Sequence, residues 1–217
     1  KISEFAAPEL SGPAWAFATR LKRHVPLLHA IAAASIATIT AHPPAFGPQG
    51  IANTPWAFAP LRVADAPLRA ALSSQAIPPI NDFGPQALAN TAWSVAACAV
   101  PHREPLLPAI AAQAIPRISE FRQPELAMTA WSFSQLAFAH VPLLESIASA
   151  SRSLISDSAM GGFAAGMVLQ GLACLGDLSP AFRHLSVVEA HGLQPGALGL
   201  GALLSALEAR PASRGRE

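Results

Sequence analysis

Apolar and polar residues recur along this chain at two periods. The longer is set by four tryptophans, Trp15, Trp56, Trp93 and Trp131, spaced 41, 37 and 38 residues apart. Five residues before each lies Leu10, Ile51, Leu88 or Leu126, and ten before lies Phe5, Phe46, Phe83 or Phe121. Two residues after each lies Phe17, Phe58, Val95 or Phe133. A proline followed by Glu or Gln comes seven or eight positions earlier, at Pro8, Pro48, Pro85 and Pro124. A second proline, Pro26, Pro67, Pro105 or Pro142, follows each Trp by 11 or 12 residues and opens an apolar run. Pro180 continues that series.

The shorter period is helical. Proline is harmless in the first helical turn, where its missing N–H has no partner to lose. Each long period therefore predicts two helices: helix B from the Pro-Glu/Gln pair through the Trp, and helix A from the second proline. Pro78, Pro79 and Pro116 fall late in A helices and should end or kink them. Helix pairs recurring at this interval predict an all-α fold, an α-solenoid of five to six two-helix repeats of roughly 38 residues. The fifth repeat lies between Gly162 and Leu175 with Gln170 at the Trp position, and the sixth runs from Pro195 to Leu207. Residues 1–209 form one repeat domain in this reading, and 210–217 a flexible basic tail. The opening Lys1-Ile2-Ser3-Glu4-Phe5 matches Arg117-Ile118-Ser119-Glu120-Phe121, the end of a helix A. That match predicts a chain that starts within a repeat and forms part of a longer array.

On helix B, with Trp at 0°, the Leu at minus five falls at about 220° and the residue at plus two at about 200°. Alanines at minus four and plus three fall near 310°. Apolar groups cover most of the circumference, so the Trp is expected in the core. One stripe remains, positions minus three, plus one and plus four, between about 40° and 100°. It holds Asn53, Ala57 and Pro60, then Asn90, Ser94 and Ala97, then Met128, Ser132 and Gln135. Small, polar and variable between repeats, it is where a modular binder would place its reading residues.

Composition narrows the function. The 217 residues include 14 Lys and Arg against 13 Asp and Glu, a formal charge of +1, which excludes a strongly basic nucleic-acid module. With 52% hydrophobic residues a membrane span needs checking, but no run of about 20 predominantly apolar residues survives without a proline or polar break. Cys98 and Cys174 form no metal-ligand spacing and suit a reducing compartment. There is no G-x-S-x-G, H-E-x-x-H or phosphate-loop pattern, so no enzyme and no cofactor is expected. Gly161, Gly162, Gly166, Gly171 and Gly176 follow no strand and read as close helix contacts. His24 and His140 sit two residues before helix-A prolines and His102 three before one, positions that suit loop polarity or capping. Arg20, Lys22 and Arg23 cluster at the first B–A turn, and Arg62 and Arg103 lie at the next two.

The Pro–Gln/Glu–x–Leu–Ala–Asn–x–x–Trp–Ala–Phe–Ala pattern resembles the octatricopeptide repeat family, best over residues 48–59, 85–96 and 124–137. Ala173-Cys174-Leu175-Gly176 matches the motif's end, whereas Gly12-Pro13 replaces its usual Asn-Thr in the first repeat. The resemblance implies non-catalytic binding of single-stranded RNA or rRNA in a plastid or mitochondrion. Asn53, Asn90, Ser94, Ser132 and Gln135 would then read bases while Lys22, Arg23, Arg62 and Arg103 hold phosphate. The low charge and high apolar fraction suit an alternative, a protein scaffold within a large organellar assembly. Positive potential along the stripe would favour RNA, and an apolar stripe would favour protein.

Overall fold

A computed structural model describes residues 5, 7–20, 22, 24–41, 48–58, 65–77, 80–97 and 105–209. Every regular element among them is helical, and the chain divides into two compact units, residues 1–120 and 121–217. The first unit holds α1 (Ala7–Thr19), α2 (Val25–Ala41), α3 (Pro48–Phe58), α4 (Ala66–Ala76), α5 (Pro85–Ala97) and α6 (Leu106–Ala114). Short 3-10 segments follow α4 at Ile80–Asp82 and α6 at Ile115–Glu120. The second unit holds α7 (Gln123–Gln135), α8 (Val141–Ser156), α9 (Gly162–Ala173), α10 (Ser179–Ala190) and α11 (Gly196–Glu208).

The repeating prolines open these helices as expected. Pro48 and Pro85 begin α3 and α5, and Pro8, Pro26, Pro67, Pro124, Pro142 and Pro180 stand second in theirs. Pro105 immediately precedes α6, and Pro116 falls in the 3-10 segment that ends it. Pro78 and Pro79 lie outside the described residues, as do Cys98, His102 and the expected tail, 210–217.

At α2, α4 and α8 the residue two before the helix-A proline caps the helix. The Leu27 and Leu143 N–H groups donate to His24 Nδ1 at 3.1 Å and His140 Nδ1 at 3.3 Å. Leu68 N–H donates to Asp65 Oδ1 at 2.9 Å. An acceptor there satisfies an N–H that the helix itself leaves unpaired. The aromatic at plus two braces the same turn: Phe17 meets His24 and Phe133 meets His140, both edge to face.

In each unit like helices lie beside like. α3 touches both α1 and α5, and α4 touches both α2 and α6. In the second unit α9 touches α7 and α11, and α10 touches α8. The B helices meet through small residues: a Cβ on Gly171 of α9 would stand 2.8 Å from the Ala130 Cβ of α7. A Cβ on Gly162 or Gly166 would overlap the backbone carbonyl of Gln194 or Pro195. These glycines are close-contact positions, as read from the sequence.

The buried side chains follow the repeat. Leu10, Ile51, Leu88 and Leu126 are fully enclosed, with Phe58, Val95 and Phe133 beside them. Thr54, Thr91 and Thr129, two residues before the Trp position, are also buried. Each donates its hydroxyl to the carbonyl four residues back, Gly50, Ala87 or Glu125, at 2.7 to 2.8 Å. That bond lets a polar group sit in a helix–helix contact without an orphaned proton.

Candidate nucleic-acid interface

The expected stripe is displaced around helix B. Ser94 and Ser132 are buried, as is Ala57 at the same plus-one position. Ser94 Oγ donates to the Asn90 carbonyl and Ser132 Oγ to the Met128 carbonyl, both at 2.6 Å. Neither side chain is placed to read a base. The reason is packing: the plus-one residue of α9, Gly171, lies against Ala130 of the preceding B helix. Smallness at plus one is thus a condition of helix contact, and its variability among Ala, Ser and Gly costs nothing.

The accessible strip runs instead through positions minus seven, minus three, zero and plus four, at about 20°, 60°, 0° and 40°. On α5 these are Gln86, Asn90, Trp93 and Ala97, and on α7 they are Pro124, Met128, Trp131 and Gln135. Each is half-buried or exposed. The tryptophans therefore line the strip rather than the core. Trp15 is 49% exposed, Trp93 and Trp131 are half-buried, and the Trp56 side chain is outside the described residues. Alanines at minus one, Ala14, Ala92 and Ala130, occupy the enclosed flank that the Trp was expected to share.

Two predicted reading residues come together. Asn90 Nδ2 donates to Asn53 Oδ1 at 3.3 Å, joining equivalent positions of α5 and α3. Both amides remain half-exposed. Gln135 is exposed at the last residue of α7. In the second unit the strip crosses α9 at Phe163, Met167, Gln170 and Cys174, where Phe163 is 72% exposed. No charged residue occupies these positions on the described part of α1, α3, α5, α7 or α9.

The cations predicted to hold phosphate are only partly described. Lys22 is exposed at the α1–α2 turn, next to the exposed Arg20, while Arg23, Arg62 and Arg103 lie outside the described residues. Two other arginines are engaged in structure. Arg117 donates to the Phe83 carbonyl at 2.7 Å and pairs with Glu120. Arg122 pairs at 2.9 Å with the buried Glu125, whose carboxylate also accepts the Arg122 backbone N–H in a capping box.

Among the described residues His184 has a strongly shifted pKa, at a position that no sequence motif marks. His184 of α10 is fully buried, its Nε2 3.1 Å from the Ala165 carbonyl of α9 and its Nδ1 3.4 Å from Ser151 Oγ of α8. A carbonyl can only accept, so the proton sits on Nε2. Burial, opposed by the bond to Ala165 and helped by the nearby Arg152, lowers its pKa to about 4. The available signal was periodicity, since Ala181, His184 and Val188 share one helical face. Burial likewise pushes the Cys174 thiol up, and its Sγ donates to the Gly171 carbonyl at 2.8 Å. Among the described residues no group of three His, Cys, Asp or Glu side chains could hold a metal ion, and no helix is long and apolar enough to cross a membrane. No known family model matches the chain, and no curated protein matches it either.

Proposed function

We propose that the chain is a non-catalytic α-solenoid that binds single-stranded RNA along the strip of its B helices. The observation that carries this reading is the Asn53–Asn90 pair, equivalent residues 37 positions apart that meet side chain to side chain on an accessible face. Amide groups present a donor and an acceptor together, which suits the edges of unpaired bases. Trp93 on the same strip offers a ring on which a base can stack. Lys22 and Arg20, both exposed at the turn after α1, would supply positive charge. The resemblance to octatricopeptide repeats supports the same assignment, and with it a role on organellar transcripts or rRNA.

The test is RNA-binding anisotropy with a mixed-sequence single strand, between about 50 and 200 mM salt. Binding should weaken with a shallow slope of only a few released counterions. Replacing Asn53 and Asn90 together by Ala should weaken it about tenfold while helicity is kept, about 1–3 kcal/mol being the worth of one good bidentate base contact. No binding at low salt overturns the proposal.

A second reading, a protein scaffold, draws on the second unit. There the strip is uncharged and mostly apolar, with Met128, Trp131, Phe163 and Met167 beside Gln135 and Gln170. Such surfaces suit partner helices. Crosslinking in native extract separates the two readings by whether RNA or protein is recovered.

A further inference from the structure

The course of the chain through the second unit brings two arginines together on its A helices. The B helices of that unit run parallel. The start of α9 meets Gln123 and Gln194, whereas further along Gly171 meets Ala130 and Gly166 meets Gly199. Helix α8 carries the chain from the end of α7 back to the start of α9, and α10 carries it from the end of α9 back to the start of α11. The two A helices therefore run parallel to each other, and they touch. Ser151 and His184 mark the contact, with Oγ of one 3.4 Å from Nδ1 of the other.

Arg152 follows Ser151, and Arg183 precedes His184. One residue turns a helix by about 100°, so a step forward on one of two parallel facing helices and a step back on the other lead to the same side. Both arginines thus leave the contact on one side of the α8–α10 pair. Solvent reaches that side, since Arg183 is exposed and Arg152 half-buried, while His184 bonds inward to the Ala165 carbonyl of α9. The two charges feel each other: burial, and after it the charge of Arg183, disfavours the protonated form of Arg152. Among the described residues neither arginine has a carboxylate partner. Glu145 lies seven residues before Arg152, about 10 Å along α8. Glu189 lies about 240° around α10 from Arg183, and Asp157 follows the last residue of α8. The Asp177 carboxylate accepts the Ser179 N–H and hydroxyl at the start of α10, and α9 carries no charged residue.

Two guanidiniums held near each other, one of them half out of water, repel, and a bound anion removes that repulsion. We propose that Arg152 and Arg183 form a binding site for a phosphate dianion, free or as the monoester end of a small molecule. A dianion matches the pair charge for charge, and phosphate oxygens take the paired N–H donors of each planar guanidinium. A carboxylate would neutralise only one of the two charges. The site stands on A helices and the strip on B helices, so it does not rest on the proposed RNA binding.

Thermal unfolding of the full chain at about pH 8, where a phosphate monoester is doubly charged, reads the prediction. Inorganic phosphate and glycerol phosphate are each titrated from about 0.1 to about 20 mM at constant ionic strength set with chloride, a range that brackets millimolar affinity. The midpoint should rise with phosphate, because a ligand that binds only the folded chain stabilises it. A rise with both probes admits the monoester, and a rise with inorganic phosphate alone assigns the free anion. Arg183→Gln and Arg152→Gln should each abolish the rise. In chloride alone Arg183→Gln, at an exposed position, should unfold at a higher temperature than wild type, the repulsion being gone. A wild-type midpoint that phosphate leaves unmoved overturns the proposal. An equal rise in wild type and Arg183→Gln overturns it too, since that is only exclusion of phosphate from the protein surface. So does an Arg183→Gln chain less stable than wild type in chloride, which a relieved repulsion cannot produce.

Discussion

His184 links three helices through one neutral ring, and that gives the second unit a specific acid sensitivity. Its folded pKa of about 4 lies below the ordinary value of 6.5. Between those values the unfolded chain takes up a proton that the folded chain refuses. Stability from this site is therefore complete above about pH 6.5 and is lost as pH falls toward 4, by about 3 kcal/mol. Urea midpoints for wild type and His184→Gln should diverge least near pH 4 and most near neutrality, with the variant showing the shallower pH slope. Parallel slopes would refute the assignment. Arg152, which lies close enough to disfavour a second positive charge, adds to the penalty for protonation. The sequence displays His184 on an apolar face but not its partners, Ser151 and Ala165, which come from helices 33 and 19 residues away. Periodicity gives an angle on one helix, and the identity of the neighbour at that angle is a tertiary fact.

At the scale of the element, two glycines separate propensity from packing. Gly12 in α1 has open space around a would-be Cβ, so Gly12→Ala should stabilise by about 0.5–1 kcal/mol through helix propensity alone. Gly171 in α9 faces Ala130 at sub-contact distance. Gly171→Ala should destabilise despite the same propensity gain, by about 1–3 kcal/mol, as α7 and α9 are forced apart. Thermal unfolding of the two variants should therefore shift in opposite directions, and shifts of the same sign would show that the close approach is not limiting. This contrast also explains which parts of the helices were legible. Helix starts were, because proline's tolerance for the first turn is a local property, and Pro48 and Pro85 stand where it predicts. The core leucines were too, because Leu88 and Leu126 are large and recur in phase. Ser94 and Ser132 were misplaced because a small polar residue reads alike whether it faces solvent or a close helix contact. The Trp was misplaced because a large aromatic signals burial, although both flanks beside it were already occupied.

The whole molecule is two compact units, each with its own enclosed residues. In the second, Leu126, Phe133, Leu144, Ile147, Val168 and Leu169 are among those shielded from solvent. Residues 121–217 expressed alone should therefore give a helical chain with a cooperative urea transition. A gradual, non-cooperative loss of helicity would show that the unit depends on residues before Phe121. The formal charge of +1 is a property of the chain as a whole, and its effect is regional. Among the described cations Arg20 and Lys22 stand at the turn after α1, Arg117 and Arg122 are in ion pairs, and Arg69, Arg152 and Arg183 lie within α4, α8 and α10, so the strip itself is uncharged. A ligand on the proposed strip would meet shape, stacking and hydrogen bonding, with long-range attraction adding little.

The hydrogen bond between the side-chain amides of Asn53 and Asn90 has a bearing on how such a surface can be rewritten. Because the oxygen of one asparagine is occupied by the nitrogen of the next, neither presents its full set of donors and acceptors independently. Altering one repeat changes what its neighbour offers. If the strip reads bases as proposed, the smallest heritable unit of specificity is two repeats, and a dictionary assigning meaning to single repeats would mistranslate this chain.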